Sequence, residues 1–328
     1  MIRAALALAA GVAAVLVVAA SGSAAPAPPD VTCSQVTQAF SGTAHDLIVP
    51  ADGFCHIEDA TITHDVIVER NGSGDLIDTT IRHDAVYFEE AGGDIHGSSI
   101  GHDLSFSSDG GADIRGTSIG NDLRLAHDSG ADLFETTVGH DLLAAPASEV
   151  HLAASQIGHN LTAHGPNSIQ TGANNPDDAG HVQVGNDFVI DGSPGPPDPN
   201  AAVFDGLCDL SVGHDLRITN RWVTFGIGLG DDCPSKGRGP VTVGRDLVFS
   251  GNQALTGFFG PSSLGVGNVI VGRDLTVTRN SADGFLEVAD NTVVRNATCR
   301  NNTPAATLDA LDPRDGPNSI GGTNNGCP

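Results

Sequence analysis

The chain is poor in the side chains that fill a conventional layered core. Aromatic residues make up 4% of it, with a single Trp and a single Tyr, and lysine occurs once. So few large residues disfavour helices and sheets layered around one core, and they suit short strands joined by tight turns. Basic residues are also scarce, with 15 Lys and Arg against 40 Asp and Glu and a net charge of −25. That balance argues against nucleic acid as a partner, because phosphates need a basic surface, and against acidic polysaccharides unless a cation mediates. No C-x-x-C pair points to structural zinc. No G-x-S-x-G, H-E-x-x-H or phosphate loop marks a familiar catalytic site.

One long apolar run is present, Ala4 to Ala20, following Arg3 and leading to small residues at Gly22-Ser23-Ala24. Residues 1–25 therefore read as a secretory signal peptide with cleavage near Ala24, the alternative being a membrane anchor just short of a comfortable span. No membrane span is expected after cleavage, and the location expected is extracellular or cell-surface. The Pro-rich stretch up to Asp30 is expected to lack structure. Six cysteines in an exported chain point to disulfides. Local pairing is expected for Cys33 with Cys55, Cys208 with Cys233 and Cys299 with Cys327, since each pair flanks one coil or one terminal segment.

What the chain has in abundance is a repeat. The phrase Gly-His-Asp-Leu, with variants, places Asp46, Asp65, Asp84, Asp103, Asp122, Asp141 and then Asn160 at intervals of 19 residues. So strict a period means stacked units, each too small to bury an apolar face alone. Apolar residues hold fixed offsets from these anchors. They form four rows: Leu47 to Leu161, Val49 to Leu125, Ile57 to Leu152, and Ile62 to Ile157. Alternation at period 2 over three or four residues, broken by Gly, gives strands suited only to a parallel β-helix. Gly-x-Asp-apolar also recurs at Asp75, Asp94, Asp113 and Asp132, so each unit divides into two half-coils of turn and strand.

Beyond Ala163 the anchors continue as Asp187, Asp215, Asp246 and Asp274, at intervals of 27, 28, 31 and 28 residues. One side of each coil is kept, and the added residues, about 164–181, 191–207, 220–240 and 250–267, are expected to protrude as loops on one flank. The fold class expected is all-β, a single-stranded parallel β-helix. Residues 26–43 would form a linker and cap, 44–298 the helix (regular coils 44–163, loop-bearing coils 164–298) and 299–328 a disulfide-closed cap. Eleven anchors at roughly 4.8 Å per coil give a rod on the order of 50 Å long.

The closing segment runs Asn291-Thr292-Val293, Cys299-Arg300-Asn301-Asn302-Thr303-Pro304 and Asn318-Ser319-Ile320-Gly321-Gly322 to Gly326-Cys327. With the opening Cys33 and Val49-Pro50-Ala51-Asp52-Gly53-Phe54-Cys55, it resembles uncharacterised secreted actinobacterial parallel β-helix repeat proteins. The repeat style alone is similar, more weakly, to bactofilin-type solenoids. The resemblance implies fold and export and no activity. The chain departs from that group in placing His45, His64, His83, His102, His140, His159 and His214 beside its anchors.

Those histidines frame the site question. Like carboxylates stacked roughly 5 Å apart repel by about 1 kcal/mol in water and about 3 to 4 kcal/mol at an effective dielectric of 20, so something must offset them. One answer is structural: each Asp accepts backbone N–H groups in its own turn, with His, Arg245 or Arg273 moderating the charge. The other is a row of divalent-cation sites, calcium or another ion, on His64, Asp65, His83, Asp84, His102, Asp103, His140 and Asp141. No cofactor is otherwise expected. Trp222, Phe225, Phe258 and Phe259 in the loop-bearing half are candidates for a contact surface or simply for loop packing. The function expected is a non-enzymatic structural, adhesion or surface role, with partners such as a cell-wall or extracellular glycan or a surface protein, or end-to-end self-association. A polysaccharide lyase or glycosidase on the same fold is the enzymatic alternative.

Overall fold

A computed structural model describes residues 26–33, 38–172, 180–192, 204–224, 226–230, 240–256, 261–307 and 316–328. Among them are strands and turns and no α-helix. No helix there is long and apolar enough to cross a membrane. The expected signal peptide, residues 1–25, lies outside the described residues.

The chain winds as a parallel β-helix with three strands in each regular coil. One coil illustrates it: Leu104–Phe106, then Gly111–Arg115, then Ser118–Ile119. Each strand pairs in parallel with its equivalents one coil away, Leu104 with Ala85 and Leu123, Ile114 with Ile95 and Leu133, Ile119 with Ile100 and Val138. We call the three faces so built the anchor, middle and third faces. The anchor face is a 14-stranded sheet. The other two are joined as a 23-stranded sheet through the long strand Phe54–Ile62, which runs across their shared corner.

Three strands per coil, where two half-coils are expected from the sequence, follow from an additional corner. The second half-coil bends at Asp78, Gly97, Gly116 and Glu135, all with φ between 47° and 60°, which splits it into a five-residue and a two-residue strand. The corner leading into the middle face likewise uses Asn71, Glu90, Asp109 and Asp128 at φ between 57° and 60°. Asn and Asp tolerate this left-handed region better than most residues. The third corner, just before the anchor, is set by close approach from Gly101 to Gly272, while Thr63 and Arg82 stand at the same place in earlier coils. A Cβ on Gly139 would lie 2.2 Å from the carbonyl oxygen of Gly120, and one on Gly120 2.0 Å from that of Gly101.

All four apolar rows read from the sequence point inward and are buried, from Leu47, Val49, Ile57 and Ile62 at one end through Leu161 and Ile157. Tyr87 and Phe106 stack at 4.7 Å within the second row, and the Tyr87 hydroxyl donates to Gly74 O at 2.7 Å. Inside the corner after the middle face run Thr79, Ser98, Thr117, Thr136 and Ser155, all buried. Their hydroxyls tie coils together, as Ser98 Oγ accepts the Thr79 N–H at 3.1 Å and donates to Leu76 O at 3.0 Å. Their neighbours Thr80, Ser99, Ser118 and Thr137 are exposed, so only one member of each pair faces outward. In later coils Asn291 takes this place, accepting the Val269 N–H at 3.0 Å, while Asn252 and Asn280 tie coils together in the same way at the corner after the anchor face, Asn252 Oδ1 accepting the Arg221 N–H at 3.1 Å.

The widened coils keep all three faces. Their insertions fall at both edges of the middle face, between Phe188–Asp191 and Phe204–Leu207 on one side and between Gly226–Leu229 and Val241–Val243 on the other, and so are not confined to one flank. Part of the added chain forms a further short parallel sheet, Trp222–Val223, Gln253–Ala254 and Ser281–Ala282. A buried ion pair anchors this half: Arg221 and Asp205 meet through Nε–Oδ2 at 2.8 Å and Nη2–Oδ1 at 3.0 Å, and Arg221 also donates to Pro166 O and Gly192 O.

Both ends are covalently tied. Cys33 bridges Cys55 and Cys299 bridges Cys327, as the sequence spacing implies. Cys208 is buried and disulfide-bonded, and its expected partner Cys233 lies outside the described residues. The Pro-rich opening does not stay free: the His45 N–H donates to Pro29 O at 2.9 Å, and Val31–Thr32 adds a strand to the anchor face. The closing segment also continues the helix, Ser319–Ile320 pairing with Thr292–Val293 and Asn324–Asn325 with Ala297–Thr298. Fourteen strands at about 4.8 Å spacing make the anchor face roughly 60 Å long.

The two kinds of glycine separate in a test. Gly139→Ala forces a Cβ onto a backbone oxygen and is expected to cost about 1–3 kcal/mol. At Gly130 a Cβ would sit 3.8 Å from Glu149 O, so Gly130→Ala should be close to neutral. Urea unfolding of both variants checks this; equal destabilisation would contradict the close-packed corner.

Candidate functional site

The anchor aspartates form one continuous ladder outside the apolar core. Asp65 donates its backbone N–H to Asp46 Oδ1 at 3.0 Å, Asp84 to Asp65 at 3.1 Å, Asp103 to Asp84 at 3.0 Å, and Asp122 to Asp103 at 3.2 Å. The pattern continues through Asp141, Asn160, Asp187, Asp215, Asp246 and Asp274. Each carboxylate thus accepts from the next coil and not within its own turn, which corrects the Asx-turn expectation. The anchor N–H lies at a corner where the sheet ladder is interrupted, and the carboxylate of the coil before is the acceptor in reach. Three members escape a search for Gly-x-Asp-Leu. Asp30 opens the ladder, Asn296 continues it with its amide oxygen, and Thr323 closes it with its N–H. The flanks of Asn296, Val293-Val294-Arg295 and Ala297-Thr298, are the signal that could have revealed it.

The histidines stand beside this ladder. His64 Nδ1 lies 2.8 Å from Asp46 Oδ1 and 3.3 Å from Asp65 Oδ2; His83 Nδ1 lies 2.8 Å from Asp65 Oδ1 and 3.4 Å from Asp84 Oδ2. Each imidazole therefore sits between the carboxylates of two successive coils. The rings stack, with centroids 5.0 Å apart for His45 and His64 and 4.8 Å for His64 and His83, while His102 is tilted from His83. His140 lies 4.0 Å from Asp122 and packs on His159 at 4.1 Å. In later coils arginine fills the place. Arg273 reaches Asp246 through Nε at 2.8 Å and through Nη2, and Arg245 Nε lies 3.4 Å from Asp215 Oδ1.

These contacts move the titrations in consistent directions. Burial raises Asp46, but the Asp65 N–H, the His64 hydrogen bond and the charges of His45 and His64 outweigh it, so its carboxyl lies below 3.8. The Arg273 hydrogen bond holds Asp246 below its ordinary value against the effect of burial. His64 is raised above 6.5, first by its hydrogen bond to Asp46 and then by the charges of Asp65, Asp46 and Asp84.

The sequence candidates for a metal come together in part. His45, Asp46 and His64, then His64, Asp65 and His83, then His83, Asp84 and His102 each place three donor atoms within 4.8 Å of one another, and so do Asp122, His140 and Asp141. Asp103 joins no such group; its Oδ2 faces Arg124 at 3.5 Å. Of the contact-surface candidates, Trp222 is half-buried in a strand, and Phe225, Phe258 and Phe259 lie outside the described residues.

A second feature, unread in the sequence, is a groove of about 530 Å³ on the middle face. Asp75, Asp94, Asp113 and Asp132 line it, with Gly93, Gly111 and Gly130 as floor and Glu149 and His151 at one end. Asp94, Asp113 and Asp132 are in register on consecutive coils. Arg115 Nε holds Asp113 at 2.8 and 2.9 Å, and His151 Nδ1 lies 2.8 Å from Asp132 Oδ1, which depresses the Asp132 titration. The recurring Gly-Gly-Asp, Gly-Gly-Ala-Asp and Gly-Ala-Asp phrases were the available signal.

In comparisons with known proteins no family model matched the chain, and no curated protein or solved structure matched it at the significance required.

The depressed carboxylates set an acid limit. A group whose folded value lies below 3.8 contributes fully above 3.8, and that contribution is lost as pH falls through the lower value. His64 has the opposite sign: its contribution is complete below 6.5 and is lost as pH rises through its raised value. Thermal melts below pH 4 should therefore show Tm falling, and Asp246→Asn, which keeps the ladder oxygen, should flatten part of the fall. An unchanged slope in that variant would contradict the assignment.

Proposed function

We propose that this protein is an extracellular, non-enzymatic β-helix that docks a glycan of a cell wall or matrix along its middle face. The observation that carries the reading is the in-register column Asp94, Asp113 and Asp132 above a glycine floor. A solenoid repeats the same outward group at every coil, about 4.8 Å apart, and a polymer repeats the same hydroxyls along its length. Carboxylates accept hydrogen bonds from neutral sugar hydroxyls and attract amino sugars, whereas the net charge of −25 repels uronic acids. Export through the N-terminal apolar segment is part of the proposal, and the bridges Cys33–Cys55 and Cys299–Cys327 support it, because such bonds persist in oxidising compartments. The likeness to secreted actinobacterial β-helix proteins, read from the terminal segments, is consistent with it.

The test is retention on a panel of neutral, amino and acidic polysaccharides, with release of sugars followed in the same samples. We expect binding to a neutral or amino polymer without release, and at least about a tenfold loss of affinity, roughly 1.4 kcal/mol, in Asp94→Asn/Asp113→Asn. Release of sugars abolished by changing one groove carboxylate would replace this reading with the glycosidase or lyase alternative. Retention of no polymer at all would also contradict it.

A further inference from the structure

The row His45, His64, His83 and His102 exceeds what stacking of the coils requires. Asn121 and Asn186 occupy the same place in coils that stack with the same register and the same carboxylate ladder. The histidines are therefore open to a second role, and their geometry is specific. In each of these coils the ladder uses one oxygen of the anchor Asp. Asp46 Oδ1 accepts the Asp65 N–H, and its Oδ2 lies 3.5 Å from His45 Nδ1. Asp65 Oδ1 accepts the Asp84 N–H, and its Oδ2 lies 3.3 Å from His64 Nδ1. Asp84 Oδ1 accepts the Asp103 N–H, and its Oδ2 lies 3.4 Å from His83 Nδ1.

We propose that these His–Asp–His groups bind divalent transition-metal ions of the zinc, cobalt and nickel class. Two imidazoles and one carboxylate are a donor set for such metals, and calcium or magnesium would require more oxygens than one Asp supplies. A tetrahedral ion about 2.0 Å from each ligand holds its donors about 3.3 Å apart. In the first group His45 Nδ1 lies 3.5 Å from Asp46 Oδ2 and His64 Nδ1 2.8 Å from Asp46 Oδ1, and in the second His64 Nδ1 lies 3.3 Å from Asp65 Oδ2 and His83 Nδ1 2.8 Å from Asp65 Oδ1, distances on either side of that value to the two oxygens of one carboxylate. The imidazoles of His45, His64 and His83 are 40–43% exposed, so an ion reaches them from solvent and the rings can turn to meet it. Water would complete the coordination.

The repeat limits the loading. His64 belongs to two groups and so does His83, so filling the middle group excludes both outer ones. Full occupancy is two ions, one on His45–Asp46–His64 and one on His83–Asp84–His102. The fourth group, Asp122–His140–Asp141, is a poorer site, because Arg124 Nη2 already holds Asp122 Oδ2 at 2.8 Å and repels a cation. The row lies beside the anchor face, apart from the groove residues, so this proposal and the glycan reading stand or fall separately.

Cobalt titration of tag-free protein tests it, read by visible absorption and by metal content after dialysis. The wild type should bind about two ions with the intense bands of tetrahedral cobalt, and Tm should rise with the ion. His64→Asn/His83→Asn removes a ligand from all three groups and should lose those two ions and the bands. Because Asn121 and Asn186 stand in stacked coils, that variant should keep its metal-free melting behaviour to within a few degrees. His164→Asn, outside the row, should bind as the wild type does. Equal cobalt content in the wild type and the double variant, or no cobalt retained by the wild type, would overturn the proposal.

Discussion

The hydrogen bond from each anchor N–H to the carboxylate of the preceding coil is the interaction on which the rest of the structure depends. A β-helix must turn three times per coil, and at each turn the backbone loses its sheet partner for a residue or two. In the regular coils side chains supply the missing partner at two of the corners in the same manner: Asp before the anchor face, then Thr or Ser inside the corner after the middle face, where Asn291 takes over near the C-terminal end. The corner leading into the middle face is instead made by left-handed residues such as Asp109 and Asp128. With these groups satisfied, the apolar rows can stack in register over the whole length.

The ladder brings its own difficulty, and magnitudes show how it is met. A hydrogen bond to a charged group contributes about 1.5–3 kcal/mol net. Neighbouring carboxylates about 5 Å apart repel by about 1 kcal/mol in water and about 3 to 4 kcal/mol at an effective dielectric of 20. A column of bare aspartates would therefore gain little or nothing. The side chains beside it moderate this: His45, His64 and His83 in the first coils by hydrogen bonds and Arg245 and Arg273 in the later ones by their charge, each reaching the Asp of the coil before. Asn160 and Asn296 relieve the charge in another way, because an amide oxygen accepts the same N–H without a charge. The residue before the anchor is thus His, Arg or, at Asn121 and Asn186, Asn, and the three overlapping His–Asp–His groups arise where four successive coils carry His there.

Period and alternation made the fold legible. Leu47, Val49, Ile57 and Ile62 announce four inward rows because like residues must stack when coils are in register. What the sequence concealed were contacts between coils that preserve no local pattern. The direction of the Asp hydrogen bonds depends on which carboxylate is nearer in space, and a motif with one Asp per coil does not say whether that Asp serves its own turn or the next coil. Asp30 and Asn296 depart from the repeat phrase yet keep its geometry. The extra corner at Asp78, Gly97 and Glu135 involves three residue types joined only by a left-handed backbone. The candidate site was legible as composition, since His and Asp adjoin at every anchor, but its division into overlapping groups needed the register. The groove arises from glycines whose absent side chains matter only once three coils are laid side by side.

The central claim is that the anchor N–H groups are held by carboxylates of the neighbouring coil. Residue-resolved amide hydrogen exchange measures this directly at Asp122, whose partner is Asp103 Oδ1 at 3.2 Å. Asp122 N–H should be protected as well as the strand amide of Leu123 in the wild type and in Asp103→Asn, and should lose that protection selectively in Asp103→Ala. Exchange of the wild-type Asp122 N–H as fast as an exposed turn amide, with Leu123 still protected, would contradict the account.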